Sequence, residues 1–206
     1  MPDKNPFKSR FKLGIRFLTI GIIVASLEEF ISQGVLKRTV FGWIIPALLA
    51  FIPFLVASAF IHRILRKKIG TRNRLELSYY MISGGIGLTV EWFLIGLSPW
   101  SDASGTDPVL MAVFQLGMFS FWGSVAFAPR IMIDKRSAVV GLVKWFKRFL
   151  AIGFVIIYFV TFASARQSQF AAGIISILIV FLSLNVFYFR YIRSWRATFP
   201  AIPKLA

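Results

Sequence analysis

The chain has 206 residues, 57% of them hydrophobic, a mean hydropathy of +0.74 and a net charge of +16; soluble domains contain about 45–50% apolar residues, so this composition indicates a membrane protein. The absence of cysteine and the single histidine, His62, exclude disulfides, thiolate chemistry and Cys- or His-rich metal sites, so we expect no cofactor and no metal. The basic residues lie in short segments between apolar runs, which is typical of topology signals and argues against nucleic acid as a partner.

Six apolar runs are long enough to cross a bilayer, which takes about 20 helical residues for a hydrocarbon core of ~30 Å. They predict an all-α polytopic integral membrane bundle of six transmembrane helices, with residues 1–206 forming a single transmembrane domain. The acidic pair Glu28 and Glu29 in the first run, with no small-residue cleavage motif after it, favours a retained helix over a signal peptide. The runs are residues 13–31, 40–61, 77–97, 108–128, 149–165 and 170–189.

Lys and Arg alternate between the two sides of these runs. Twenty of the 24 basic residues lie in the terminal segments and in two of the loops, whereas only Lys37, Arg38 and Arg166 lie in the loops on the other side. An excess of Lys and Arg marks cytoplasmic loops, so this split predicts that both termini are cytoplasmic. The basic segments are residues 1–12, 62–76, 129–148 and 190–206.

The first and third helices share a layout. Gly21 lies seven residues before Glu28, and Gly84 lies seven residues before Glu91. Each of these helices is followed by one that descends to a basic segment. The pattern fits a parallel repeat of two helix hairpins, helices 1–2 and 3–4, and it fits equally well two unrelated hairpins of similar composition.

Small residues precede Glu91 in the third run. Ser83 and Gly87 form a small-xxx-small pair, which permits close contact between transmembrane helices. We therefore predict tight packing on this face of the third helix. Trp122, near the middle of the fourth run, is predicted to be buried packing.

Glu91 is an ionisable residue within an apolar run, and such a residue suggests a functional site. Gln115 of the fourth run lies at nearly the same predicted depth, so the two side chains are expected to be neighbours. Together with Glu28 and Glu29 they predict an outward-facing acidic site. We expect it to bind or move a small cation, a proton-coupled solute or a lipid.

Two other interpretations remain open. In the first, the chain is a non-catalytic membrane subunit or scaffold, and its polar residues serve only to pack helices. In the second, the glutamates belong to an intramembrane enzyme that acts on lipid or peptide. The chain has no nucleophile elbow or phosphate-binding loop, which favours a non-enzymatic role.

The basic segments predict contact with anionic lipid headgroups on the cytoplasmic side, because each basic residue near such a surface contributes about 1 kcal/mol. Residues 135–148 alternate apolar and basic side chains and predict a short amphipathic interfacial helix before the fifth crossing. A membrane protein or a second copy of the chain is a further expected partner. The predicted headgroup contacts are Arg63, Arg66, Lys67, Lys68, Lys144, Lys147 and Arg148.

Overall fold

The computed structural model describes residues 6–31, 44–95, 108–165 and 168–198. These residues form six helices, and no strand occurs among them. The predicted all-α helix bundle is therefore confirmed. Both chain termini and the loop residues Lys37, Arg38 and Arg166 lie outside the described residues.

The helices are longer than the apolar runs that predicted them, α3 only when the π-helical turn that follows it is included. Helix α3 passes directly into a π-helical turn, Glu91–Ile95, and a short 3₁₀ turn, Ser137–Val139, precedes α5. The helices are α1 Pro6–Glu29, α2 Ile44–Lys68, α3 Arg72–Val90, α4 Pro108–Ile133, α5 Val140–Ala163 and α6 Gln169–Thr198.

Four of the helical segments are long and apolar enough to cross a membrane. Helices α1 and α3 are not among them over the described residues; α1 carries Arg16, Glu28 and Glu29, and the first turns of α3 hold several charged and polar side chains. Four such helices fit a multi-pass membrane protein. The four segments are Leu48–Lys68, Pro108–Ile133, Ser137–Ala163 and Gln169–Arg196.

The extra helical length lies where the basic segments are. Helix α2 continues to Lys68, α4 to Ile133 and α6 to Thr198. The prediction of a separate interfacial helix over residues 135–148 was wrong, because the segment from Val140 onwards forms the first turns of α5. The predicted boundaries at residues 40 and 97 lie outside the described residues.

Helices that are consecutive in the chain run in opposite directions. Arg130 near the end of α4 contacts Glu76 near the start of α3, and Arg136 after α4 contacts Ser194 near the end of α6. His62, toward the end of α2, approaches the same Glu76. We call this the basic end of the bundle: α2, α4 and α6 end there, and α3 and α5 begin there.

Helix α4 is the centre of the bundle. The ten residues Ser120 to Pro129 are all buried, so α4 is covered on every side over nearly three turns. It packs against α1, α3 and α6, with smaller contacts to α2 and α5. Helix α4 therefore fixes the positions of its neighbours.

The contact between α3 and α4 depends on glycines. A Cβ atom at Gly87 would lie 2.0 Å from Cγ of Trp122, and one at Gly84 would lie 2.9 Å from the backbone oxygen of Phe119. Trp122 is 1% exposed, which confirms its predicted burial. Between helices in lipid, close packing replaces the hydrophobic driving force, so these glycines set how near α3 and α4 can approach.

We predict that Gly87→Ala destabilises the protein by about 1–3 kcal/mol, because the added methyl group overlaps the buried Trp122 ring. Gly85→Ala is the matched control, since a Cβ atom there would meet nothing within 4 Å. Thermal unfolding of the detergent-purified variants measures both effects. Equal unfolding temperatures for the two variants would contradict the close α3–α4 contact.

Candidate functional site

Glu91 begins the π-helical turn that follows α3, and it is 5% exposed. Its Oε1 atom accepts a hydrogen bond of 2.8 Å from Nε1 of Trp122. Gly87, one turn earlier in α3, has no side chain and so leaves room for the Trp122 ring. π-Helical turns are rare and frequently occur at functional sites, because they change the direction in which side chains point.

The other predicted members of the acidic site lie on α1 and α4. Oε1 of Gln115 accepts a hydrogen bond of 2.7 Å from Nε1 of Trp92 in the π-helical turn. Glu28 and Glu29 are half-buried, and α1 becomes π-helical directly after them, at residues 30–31. Among the described residues, no three His, Asp or Glu side chains are arranged to hold a metal ion. A joint site of these four residues stays a prediction.

A second polar centre, which sequence reasoning missed, lies at the basic end. The side chain of Glu76 is 0% exposed and accepts two hydrogen bonds from Arg130, from Nε at 2.7 Å and from Nη2 at 2.6 Å. Nε of Arg72 lies 2.8 Å from Oε1 of Glu76, and Nε2 of His62 lies 3.7 Å from the same oxygen. Side chains of α2, α3 and α4 therefore meet at one carboxylate.

The charge state of Glu76 follows from these neighbours. Burial by itself raises the pKa of a carboxyl group, but His62, Arg130 and Arg72 together outweigh it and lower the pKa of Glu76 to about 2. Glu76 lies just before the apolar run that begins at residue 77, and it is ionised at neutral pH. A single buried carboxylate thus compensates part of the charge of two arginines.

A second group of contacts joins the last turns of α6 to the segment after α4, also at the basic end of the bundle. The Trp195 ring has the guanidinium of Arg136 3.3 Å from its centroid and that of Arg72 4.6 Å from it. The hydroxyl of Tyr191 donates to Oδ2 of Asp134 at 2.7 Å, and Arg136 Nε donates to the same oxygen at 2.8 Å. The segment after α4 is therefore held against the last turns of α6.

Asp134 is fully engaged by these contacts. Its burial raises the pKa, but the backbone N–H of Arg136, the hydroxyl of Tyr191 and the Arg136 guanidinium lower the pKa below its ordinary value. The carboxylate is therefore ionised and already bound, which leaves it little capacity to neutralise other cations nearby.

Three grooves lie along the basic end, and each combines cations with apolar walls. The α3–α6 groove has a volume of about 520 Å³, the α1–α5 groove about 530 Å³ and the α5–α6 groove about 430 Å³. The α3–α6 groove is lined by Arg74, Arg193 and Arg196 next to Leu77, Phe189 and Ile192. The cations of the α1–α5 groove are Arg16, Lys135, Lys144 and Lys147.

These seven cations differ from Arg72, Arg130 and Arg136 in having no internal counter-charge. The structure gives none of the seven a salt bridge to a carboxylate of the described residues. Two of the predicted headgroup contacts, Lys144 and Lys147, are among them.

The other predicted headgroup contacts lie outside the grooves. Arg148 places its guanidinium 5.2 Å from the centroid of the Trp145 ring. The remaining four lie exposed on the last turns of α2 and line none of the three grooves: Arg63, Arg66, Lys67 and Lys68. The headgroup role of all seven predicted residues stays a prediction.

Comparisons with known proteins give no relative. No protein-family model, curated protein or solved structure matches the chain. Function must therefore be argued from the chain's own geometry.

We predict that Glu76→Gln destabilises the protein by about 3–5 kcal/mol at neutral pH, because it leaves Arg130 and Arg72 partly buried without their counter-charge. The folded-state pKa of about 2 lies below the ordinary value of 4.5. The stabilisation from Glu76 is therefore present above about pH 4.5 and is lost as the pH falls from there toward 2.

Thermal unfolding from about pH 7 down to about pH 3 measures this effect. Wild type should lose stability over the acidic part of that range, and Glu76→Gln should lose less. Arg72→Gln, which keeps the Arg130 contacts, should be less harmful at neutral pH and serves as a second variant if Glu76→Gln fails to fold. Identical pH profiles for wild type and Glu76→Gln would show that the carboxylate contributes nothing to stability.

Proposed function

We propose that this protein is a multi-pass membrane protein that binds anionic phospholipids at its basic end. One observation carries the proposal: the grooves at this end place apolar side chains beside arginines or lysines that form no salt bridge with a carboxylate of the described residues. A phospholipid has the complementary structure, since a phosphate is attached to hydrocarbon chains. Arginine in particular binds phosphate through parallel hydrogen bonds.

The distribution of charge supports the same function. By the topology that the sequence predicts, twenty of the 24 basic residues belong to the segments of this end and three to the segments of the other side. If the basic end faces the cytoplasm, as the positive-inside rule predicts, it lies at the leaflet that carries anionic lipid in most cells. Bound lipid would then neutralise part of an otherwise self-repelling surface.

The Arg74, Arg193 and Arg196 group gives a direct test. Arg193→Gln combined with Arg196→Gln removes two cations from the α3–α6 groove, and we expect phosphatidylglycerol to bind about 25-fold more weakly, about fivefold for each cation. Arg63→Gln combined with Lys67→Gln removes the same charge from predicted headgroup contacts of α2 that lie outside the grooves. No apolar groove wall adds to binding there, so we expect a loss of less than about fivefold.

Native mass spectrometry of the full chain in detergent measures the binding, with phosphatidylcholine as the uncharged comparison. Equal loss in the two double variants would show that only overall charge matters. Equal binding of phosphatidylcholine and phosphatidylglycerol by wild type would overturn the proposed function.

A second candidate function rests on Glu91. Its carboxyl group is buried, and the hydrogen-bond donor described for it is an indole N–H, which leaves Glu91 without a described cation to neutralise it. Such a carboxyl group suits the binding of a proton or a small cation when the surrounding helices open. This is the interpretation in which the protein couples ion or proton binding to the movement of a solute.

If Glu91 binds a proton or a cation, the thermal stability of wild type changes with pH or added cation, and Glu91→Gln lacks that change while remaining folded. Trp122→Phe is the companion variant. It keeps the carboxyl group of Glu91 and removes the indole N–H that donates a hydrogen bond to it. Should Glu91→Gln lower stability equally at every pH and in every salt, Glu91 acts only as a helix-packing residue, and the scaffold interpretation gains support.

A further inference from the structure

The α1–α5 groove collects four cations from three parts of the chain. Arg16 comes from α1, Lys135 from the connection between α4 and α5, and Lys144 and Lys147 from α5. The two lysines of α5 are three residues apart, about 4.5 Å along the helix axis and on one face. The cations of this groove therefore come from two of the helices that line it, α1 and α5, and from the connection before α5.

The carboxylate that also lines this groove does not neutralise these cations. Asp134 is bound by Arg136 at 2.8 Å and by the hydroxyl of Tyr191 at 2.7 Å. Arg16 and the three lysines have no salt bridge to any carboxylate of the described residues. Four like charges around one cavity repel each other, so an anion bound between them would relieve that repulsion.

The walls between the cations are apolar. Ile20, Met132 and Val143 line the cavity, whose volume of about 530 Å³ is within the roughly 300–1,000 Å³ typical of small-molecule sites. Arg16 is exposed at the groove, so its guanidinium is accessible to an anion from outside the chain. The occupant should therefore carry negative charge at two positions and hydrocarbon between or beside them.

We propose that the α1–α5 groove is a binding site for a phospholipid with two phosphate groups. Arg16 on the α1 wall engages one phosphate, and Lys144 and Lys147 on the α5 wall engage the other, with Lys135 between the walls. A lipid with one phosphate would leave the cations of one wall without a partner. This inference rests on the proposed function, because it names the class of anionic lipid that the basic end selects.

The test compares cardiolipin, which has two phosphates, with phosphatidylglycerol, which has one, by native mass spectrometry of the full chain in detergent. Cardiolipin also has two more acyl chains, so the decisive quantity is the ratio of the two affinities in wild type and in Arg16→Gln. We expect Arg16→Gln to weaken cardiolipin binding about fivefold and to leave phosphatidylglycerol nearly unchanged.

Three further variants complete the design. Lys144→Gln combined with Lys147→Gln should weaken both lipids, whereas Arg63→Gln combined with Lys67→Gln, outside the groove, should leave the ratio of the two affinities unchanged. Arg16→Lys keeps the charge and should keep the preference for cardiolipin, which separates loss of charge from loss of folding.

The possible failures are distinguishable. If the affinity ratio is the same in wild type and Arg16→Gln, the two-phosphate inference is wrong while anionic lipid binding stands. If inorganic pyrophosphate displaces cardiolipin at equal concentration, the groove recognises free phosphate and not lipid, and the inference is also overturned. If neither lipid binds more tightly than phosphatidylcholine, the proposed function itself fails.

Discussion

The buried carboxylate of Glu76 is the interaction on which the basic end depends. Removing a carboxylate and two guanidinium groups from water costs several kcal/mol for each ion, and only close and nearly complete pairing offsets that cost. Arg130 supplies two hydrogen bonds and Arg72 a third close contact, so one carboxylate fixes the end of α4 against the start of α3. His62 extends the contact to α2, and Arg72 stacks on Trp195 of α6. The Glu76 carboxylate thereby connects α2, α3 and α4 directly, and α6 through Arg72.

This centre divides the cations of the basic end into two groups. Arg72, Arg130 and Arg136 have internal carboxylates and aromatic rings as partners, so they stabilise the bundle. Within the described part of the chain, the cations that line the α3–α6 and α1–α5 grooves form no salt bridge with a carboxylate, and they lie beside apolar side chains. Both groups contain arginine. They differ in whether the carboxylate of Glu76 or Asp134 lies next to the cation. The first group makes a rigid frame, and the second is free to bind anions from outside the chain.

The fold could be predicted from the sequence because its signals are local: apolar runs give the six helices, and the small residues at positions 83–87 give the close α3–α4 contact. The ion pairs at Glu76 could not be predicted, because Arg130 lies 54 residues away in the chain and only the folded structure brings the two side chains together. One signal was present, since Glu76 is a single acid within the basic segment 62–76, four residues after Arg72. In the sequence, however, its basic neighbours fit topology signals and lipid headgroup contacts, and no local feature indicates an internal ion pair. The hydrogen bond from Trp122 to Glu91 was likewise invisible, because either helix could have presented another face.

A cryo-electron microscopy structure of the full chain in nanodiscs that contain phosphatidylcholine and anionic phospholipid would test this division of charge most directly. The account predicts headgroup density against the cations of the α3–α6 and α1–α5 grooves, with Glu76 in contact with Arg130 and Arg72. It would be contradicted by headgroup density bound to Arg130 and Arg72 with Glu76 turned away, or by grooves that contain no headgroup while the rest of the surrounding lipid is resolved.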